Sequence, residues 1–188
     1  MAWILAAALA GSAVVLLVAV WLVRLYNRLV RMRNQVDASW SQIDVQLKRR
    51  HDLIPNLVET VKGYASHERD TLAAVLAARG EASTHTAGDP GRAEAENALS
   101  QALGRLVALA EAYPQLRASE NFAALQGDLA TTEDKIAYSR QFLTYAVQQY
   151  NTAIQSFPAN LVAGPLGFQR RGLFAATDSD RGVIAVGL

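Results

Sequence analysis

The residues best suited to chemistry lie near the middle of the chain, where a basic run precedes a proline. Lys48, Arg49 and Arg50 come shortly before Pro55. Proline has no backbone N–H, so within a helix it leaves the carbonyl four residues earlier, that of His51, without its usual partner. We therefore predict a kink or a short break in the helix here, and a surface beside it that binds acidic partners.

Further polar residues extend this basic run on both sides. Asp44 lies four residues before Lys48, a spacing that favours an ion pair within one helix, and Asn56 and Glu59 follow the proline. The candidate partner surface therefore consists of Asp44, Lys48, Arg49, Arg50, Asn56 and Glu59. A solvated helix face with local ion pairs is the alternative interpretation, and the sequence leaves it open.

The histidines do not form a metal-binding motif. His51, His67 and His85 are too far apart in sequence for a local set of ligands. His67 and Glu68 begin like the zinc-protease motif His-Glu-x-x-His, but position 71 is Thr71 instead of the second histidine. We therefore predict no metal site.

Other catalytic arrangements are also incomplete. Glu59, Glu111 and Glu133 could converge across three helices, but the carboxylate-bridged metal sites of helical bundles also need paired Glu-x-x-His motifs, which the sequence lacks. The serine-hydrolase motif G-x-S-x-G and the phosphate loop G-x-x-x-x-G-K-S/T are absent as well. The sequence predicts a protein that is not an enzyme and has no cofactor.

Composition excludes two further classes of protein. The formal net charge is +1, whereas a general nucleic-acid binder would carry a strongly basic domain. The chain has no cysteine, so it can form neither disulfides nor cysteine metal sites, which is compatible with a reducing compartment.

The N-terminal stretch is the strongest structural signal. Residues 1–23 contain no charged residue, Asn, Gln, His or proline. As a helix they are about 34 Å long, enough to cross a hydrocarbon core of about 30 Å. A cleaved signal peptide is the alternative, but no basic segment precedes the stretch, which also exceeds the roughly 7 to 15 residues usual for a signal core. We predict a transmembrane helix.

The residues that flank this helix predict its direction. Arg24, Arg28, Arg31 and Arg33 follow it, whereas only the terminal amine precedes it. By the positive-inside rule the C-terminal side is cytoplasmic and the N-terminus is outside. The four arginines are also predicted to contact anionic lipid headgroups.

Helical spacing of apolar residues continues beyond the anchor. An apolar stripe runs over residues 29–64 at intervals of three and four, with Arg50 in the position between Leu47 and Ile54. No glycine or proline separates the anchor from this stripe. We expect one long, bent rod that continues from the membrane helix.

The rest of the chain is predicted to form two shorter helices and one long helix. Residues 67–82 and 90–113 have helical apolar spacing, with a loop of turn-forming residues between them and Asp89 as the N-cap of the second helix. The last helix begins after its N-cap Ser119 and is stopped by Pro158.

These elements predict an all-α fold in three parts. A transmembrane helix over residues 1–23 continues into an antiparallel bundle of three to four helices, two of them very long, over residues 24–158. Residues 159–188 are predicted to be a mostly irregular tail, with a loose end over 177–188. Its larger apolar side chains, Leu161, Val162, Phe168 and Phe174, could pack on the bundle or on lipid.

A family resemblance supports this architecture. Residues 43–65, IDVQLKRRHDLIPNLVETVKGYA, resemble the signature of the bacterial LemA family. The resemblance continues at Glu111-Ala112-Tyr113-Pro114, Glu120-Asn121-Phe122, Leu125-Gln126, Thr132-Glu133, Tyr150-Asn151 and Phe157-Pro158. The chain departs from the family at Phe142-Leu143, where Tyr-Asn is usual. The resemblance implies a bacterial protein with an N-terminal anchor, a cytoplasmic helical bundle and no established enzymatic activity, cofactor or substrate.

The function that we predict is a non-catalytic membrane-anchored scaffold in the bacterial inner membrane, which presents the bundle to an unidentified protein partner. The alternative is a self-assembling lipid-surface or membrane-remodelling protein. Expected partners are membrane lipid, a protein and a second copy of the chain; nucleic acid is not expected.

Overall fold

The structure is a computed structural model that describes residues 1–87 and 89–174. These residues form six helices and no strand, which confirms the predicted all-α fold with a long N-terminal apolar helix. The helices are α1 (Ala2–Tyr64), α2 (Arg69–Thr84), α3 (Arg92–Glu111), α4 (Pro114–Arg117), α5 (Glu120–Gln155) and α6 (Asn160–Ala163). The loose end predicted for residues 177–188 lies outside the described residues.

The first helix is longer than any other and continues through Pro55. Of the predicted kink or short break at this proline, the break does not occur. Within the described ranges, α1 is the helix that is long and apolar enough to cross a membrane. Its apolar N-terminal part is exposed throughout residues 2–21 and contributes nothing to a protein core.

The chain forms two compact units. We call Met1–Ala38 with Tyr145–Arg171 the terminal unit. Ser39–Thr144, together with residues 172–174, is the central unit. Both α1 and α5 contribute residues to each unit.

The core of the central unit is built from the apolar faces of five helices. In this unit α1 and α5 run antiparallel, because Trp40 and Arg140 both pack on Phe174, while Arg50, further along α1, reaches Glu133, which comes earlier on α5. The larger buried side chains are Ile54, Leu57, Val58, Val61, Leu72, Val75, Leu99, Leu103, Leu106, Leu116, Phe122 and Leu129.

The terminal unit packs the end of α5 and the following segment against α1. Buried apolar residues come from both helices and from the segment after them: Leu29, Val36, Ala146, Val147, Tyr150, Ile154, Ala159, Ala163 and Phe168. The Phe168 ring lies edge-on to Tyr26, with a centroid distance of 5.6 Å, and the Arg33 guanidinium lies 5.6 Å from the centroid of the Phe168 ring. Phe168 therefore packs on protein, whereas Leu161 is 66% exposed.

The two predicted N-caps have different outcomes. Ser119 caps α5 as expected, since the backbone N–H of Phe122 donates to its Oγ at 3.4 Å. Asp89 does not cap α3, because the helix begins at Arg92 with Gly91 as its N-cap residue. The Asp89 side chain instead accepts the Gly91 N–H at 3.1 Å and closes the preceding turn.

Candidate functional site

A buried arginine on α1 is the centre of a polar network in the central unit. Arg50 Nη1 donates to Ser100 Oγ at 2.9 Å and to Glu133 Oε1 at 2.7 Å. Its Nη2 donates to the carboxylate of Glu96, and the Arg50 and Glu96 side chains are each only 1% exposed. One guanidinium thus joins α1 to α3 and α5.

Glu96 is held between two cationic or potentially cationic groups. His51 Nε2 lies 3.2 Å from the Glu96 Oε1 atom that Arg50 does not bind. Burial alone would raise the pKa of Glu96. The effects of His51 and Arg50 together outweigh that of burial, so that the pKa lies below its ordinary value. The carboxylate is therefore ionised at neutral pH and is unsuited to act as a general acid.

The backbone carbonyl of His51 has a partner from another helix. Pro55 cannot supply the N–H that this carbonyl would normally accept, and Arg79 Nε on α2 donates to it at 2.8 Å. The carbonyl freed by proline is thus satisfied by the protein's own arginine. It is not available to an external partner, contrary to the expectation from the sequence.

A second arginine connects α3 to α1 at the edge of this region. Arg92 Nη2 binds Asp44 Oδ1, with the Arg92 side chain 7% exposed and the Asp44 side chain 44% exposed. The Nε and Nη1 atoms of Arg92 are buried without a hydrogen-bond partner among the described residues. Guanidinium N–H groups only donate, so an oxygen acceptor is what these atoms lack.

These side chains face a common cleft, which we call the α1–α3 cleft. Its volume is about 470 Å³, and its walls include Asp44, Lys48, His51, Arg79, Arg92 and Glu96. His85 lines the same cleft after the end of α2. The cleft thus combines the exposed Lys48 with carboxylates and guanidinium groups that are already paired within the protein.

His85 lies between two acidic residues, Glu81 on α2 and Asp89 in the turn before α3. Its Nδ1 lies 2.8 Å from Asp89 Oδ2, and its Nε2 lies 3.5 Å from Glu81 Oε1. The hydrogen bond to Asp89 raises the pKa of His85, Glu81 adds to this effect, and partial burial opposes it. The imidazole is therefore more readily protonated than a free histidine.

The six residues of the candidate partner surface do not form one continuous surface in the structure. Arg50 lies inside the protein and must be removed from that surface, because it occupies the core position between Leu47 and Ile54 and is neutralised there by Glu96. Asp44 and Lys48 line the cleft. Arg49, Asn56 and Glu59 are exposed but lie outside the cleft lining.

Ion pairs near the cleft also differ from the predicted one. Lys48 binds Asp52 at 2.8 Å, so its partner is the acid that follows it and not Asp44. Asp44 instead binds Arg92. Asp44 and Asp52 each lie four residues from Lys48 along the helix. Lys48 binds Asp52 because Asp44 is bound by the arginine on α3.

The three glutamates considered for a metal site have different surroundings. Glu59 pairs with Lys62 at 3.1 Å, Glu133 binds Arg50, and Glu111 is exposed at the end of α3. Over residues 1–87 and 89–174, no group of three or more His, Asp or Glu side chains could hold a metal ion.

The four arginines predicted to contact headgroups lie in the terminal unit. Arg24, Arg28 and Arg31 are exposed, whereas Arg33 is partly buried over the Phe168 ring. Three of the four therefore present their charge to the surroundings.

Sequence reasoning missed Arg79, Arg92 and Glu96 as members of the site. One signal was present, since the apolar stripe already placed Arg50 in a core position and a buried arginine requires an acidic partner. The identity of that partner could not be read, because Glu96 lies 46 positions away on another helix.

Comparison with known proteins is consistent with this architecture. A LemA family profile matches residues 39–187, which is most of the chain. The chain belongs to the LemA family. The matched range includes Arg50, His51 and Pro55, so the α1 residues of the site lie within the part of the chain that matches the family.

Curated relatives cover a large part of this LemA-family chain. It is 28% identical over 186 residues to Magnetosome protein MamQ 2 of Paramagnetospirillum magneticum, covering 86% of this chain and 68% of the relative. It is 27% identical over 170 residues to Magnetosome protein MamQ of Magnetospirillum gryphiswaldense, covering 77% and 62%. It is 24% identical over 155 residues to Protein LemA of Metamycoplasma hominis, covering 82% and 71%. The chain thus spans about two thirds of the length of these relatives.

Proposed function

We propose that this LemA-family chain is a non-catalytic scaffold anchored in the bacterial inner membrane by the N-terminal part of α1. The observation that carries the proposal is the exposed apolar stretch, in which Trp3 is 89% and Leu9 is 71% exposed. Apolar surface of this extent is unfavourable in water and favourable in hydrocarbon. A bilayer is the environment that suits it.

The proposed orientation places the N-terminus outside and the central unit in the cytoplasm. It is supported by Arg24, Arg28 and Arg31, which follow the apolar stretch and are exposed. Because the chain has no cysteine, single cysteines at Ala2 and Gln115 can report the topology. In intact spheroplasts a membrane-impermeant maleimide should label position 2 and not position 115; the reverse pattern would contradict the orientation.

The proposed partner site is the α1–α3 cleft, where a protein partner would place an acidic side chain. Its support is Lys48, which lines the cleft and whose side chain is 76% exposed, so that its ammonium can bind a second carboxylate besides that of Asp52. Lys48→Glu should reduce recovery of the partner in cross-linking from the cytoplasmic side. Lys135→Glu makes the same change at an exposed position outside the cleft lining and serves as the matched control. Equal recovery with both variants would contradict a partner at this cleft.

A self-assembling lipid-surface protein is the second candidate function. Its support is the charge of the terminal unit, which holds six arginines and a single acidic residue, Asp37. The full chain would then form oligomers in vesicles with anionic lipid and dissociate as salt is raised. Single-molecule photobleaching that finds one chain per vesicle in both conditions would exclude this function.

A further inference from the structure

The segment that follows α5 presents large apolar side chains to the surroundings. Phe157 is 80% exposed, Leu161 is 66% exposed and Leu166 is 43% exposed. The segment is ordered by its own backbone hydrogen bonds, including Leu161 N–H to the Pro158 carbonyl at 3.2 Å and Phe168 N–H to the Ala163 carbonyl at 2.9 Å. These exposed side chains therefore belong to a defined surface of the terminal unit.

A groove of about 410 Å³ lies between this segment and α1. It is lined by Leu22, Val23, Tyr26, Val162, Pro165 and Leu166, and only apolar atoms face it. Leu22 and Val23 are the last residues of the apolar stretch of α1. The groove therefore opens where that stretch ends and the arginines begin.

The charge of the terminal unit indicates what could approach this groove. The unit contains six arginines and one acidic residue, Asp37, and Arg24 directly follows Val23 of the groove lining; the arginines are at positions 24, 28, 31, 33, 170 and 171. Asp37 is itself 3.4 Å from the Arg171 guanidinium. An apolar groove beside a nearly acid-free basic surface matches a molecule with an apolar chain and an anionic head.

We infer that the groove between α1 and the α6 segment binds an acyl chain of an anionic phospholipid, whose phosphate is held by the neighbouring arginines. Phe157, Leu161 and Leu166 enter the same lipid layer. The terminal unit thus contacts the membrane through two elements, the apolar part of α1 and the α6 segment. This inference rests on the proposed anchoring of α1.

Photocross-linking in nanodiscs tests the inference on the full chain. One chain per disc is reconstituted with a phosphatidylglycerol that carries a diazirine in its acyl chain, and cross-linked peptides are identified by mass spectrometry. We expect cross-links to the groove residues Val162 and Leu166 as well as to residues 2–21. The same diazirine chain on phosphatidylcholine should cross-link the groove several-fold less, while cross-links to residues 2–21 remain.

A pair of tryptophan variants separates binding in the groove from mere closeness to the bilayer. Val162→Trp fills the groove and should reduce cross-linking at Leu166 several-fold. Leu161→Trp makes a similar change at the neighbouring exposed position, outside the groove lining, and should leave it unchanged. Circular dichroism checks that both variants retain their helix content.

The outcomes distinguish the two proposals. Cross-links to residues 2–21 without any in the groove would overturn the inference and leave the anchor in place. No cross-links at either place would overturn both. Equal groove cross-linking by Val162→Trp and Leu161→Trp, or by the anionic and zwitterionic lipids, would also overturn the inference.

Discussion

Arg79 Nε lies 2.8 Å from the carbonyl oxygen of His51, which Pro55 leaves without a helical N–H. The proline creates a missing hydrogen bond in α1, and a side chain from α2 replaces it. A local defect of one helix thus becomes a tie between two helices.

This relationship predicts that the cost of losing Arg79 depends on residue 55. Arg79→Met should lower the free energy of unfolding by about 1 to 3 kcal/mol, since it leaves a partly buried carbonyl without a donor. In a Pro55→Ala background the alanine N–H can satisfy that carbonyl, so the same substitution should cost about 1 kcal/mol less. Urea unfolding of the four proteins in detergent measures the coupling; additive effects would show that the two residues do not share the carbonyl.

The buried guanidinium of Arg50 predicts a large loss of stability on its removal. Arg50→Met leaves Glu96 charged inside the protein and should cost about 3 to 5 kcal/mol. The double variant Arg50→Met/Glu96→Met should recover most of this loss, because no unpaired charge remains at Glu96. Thermal unfolding by circular dichroism compares the two variants.

The neighbouring residue provides the control for this prediction. Arg49 is 47% exposed and lies 3.4 Å from Asp128. Arg49→Met should therefore change stability by no more than about 1 kcal/mol. If Arg49→Met and Arg50→Met lower the stability equally, the buried Arg50–Glu96 pair contributes no more than an exposed ion pair.

The raised pKa of His85 predicts that the stability of the protein depends on pH. Because its pKa is raised above the ordinary value of 6.5, the bond to Asp89 contributes fully below pH 6.5 and is lost as pH rises through the raised pKa. His85→Gln should lower the Tm in mildly acidic buffer and have little effect in alkaline buffer. His67→Gln makes the same change at an exposed position and serves as the matched control. A constant effect of His85→Gln across this range would contradict the assignment.

The side chain of Asn151 is predicted to hold the segment that follows α6 in place. Its Nδ2 donates to the Arg171 carbonyl and its Oδ1 accepts the Arg171 N–H, both at 2.9 Å. Asn151→Ala removes both bonds, so trypsin should cleave after Arg170 and Arg171 faster than in the wild type. Thr152→Ala changes an adjacent exposed residue and should not accelerate cleavage at these arginines. Equal rates for the two variants would show that Asn151 does not hold the segment.

Local signals predicted much of the fold. The apolar spacing gave the helices, and Ser119 was identified as an N-cap because its oxygen acts within three residues. Asp89 was assigned to the wrong role, since its side chain has a competing local partner in the turn and another in His85. Sequence spacing cannot rank the donors that compete for one carboxylate.

The candidate site was less predictable because its contacts are long-range. The freed carbonyl of His51 followed from Pro55, but the arginine that binds it comes from a different helix. Likewise, Arg50 stood in the apolar stripe, yet its charge favoured a surface interpretation. Only the packing of α3 and α5 beside α1 supplies the carboxylates that allow it to be buried.

The Arg50–Glu96 pair also restricts the register in which α3 packs on α1. The buried face of α3 carries leucines at 99, 103 and 106 and alanines at 95, 102 and 110, and a shift of one helical turn, about 5.4 Å, would still bring apolar side chains against α1. In a slipped register the guanidinium and the carboxylate would be buried apart from each other, each without compensation. The charged pair thus adds an electrostatic penalty for slipped alignments to the preference that the packing of the apolar faces sets.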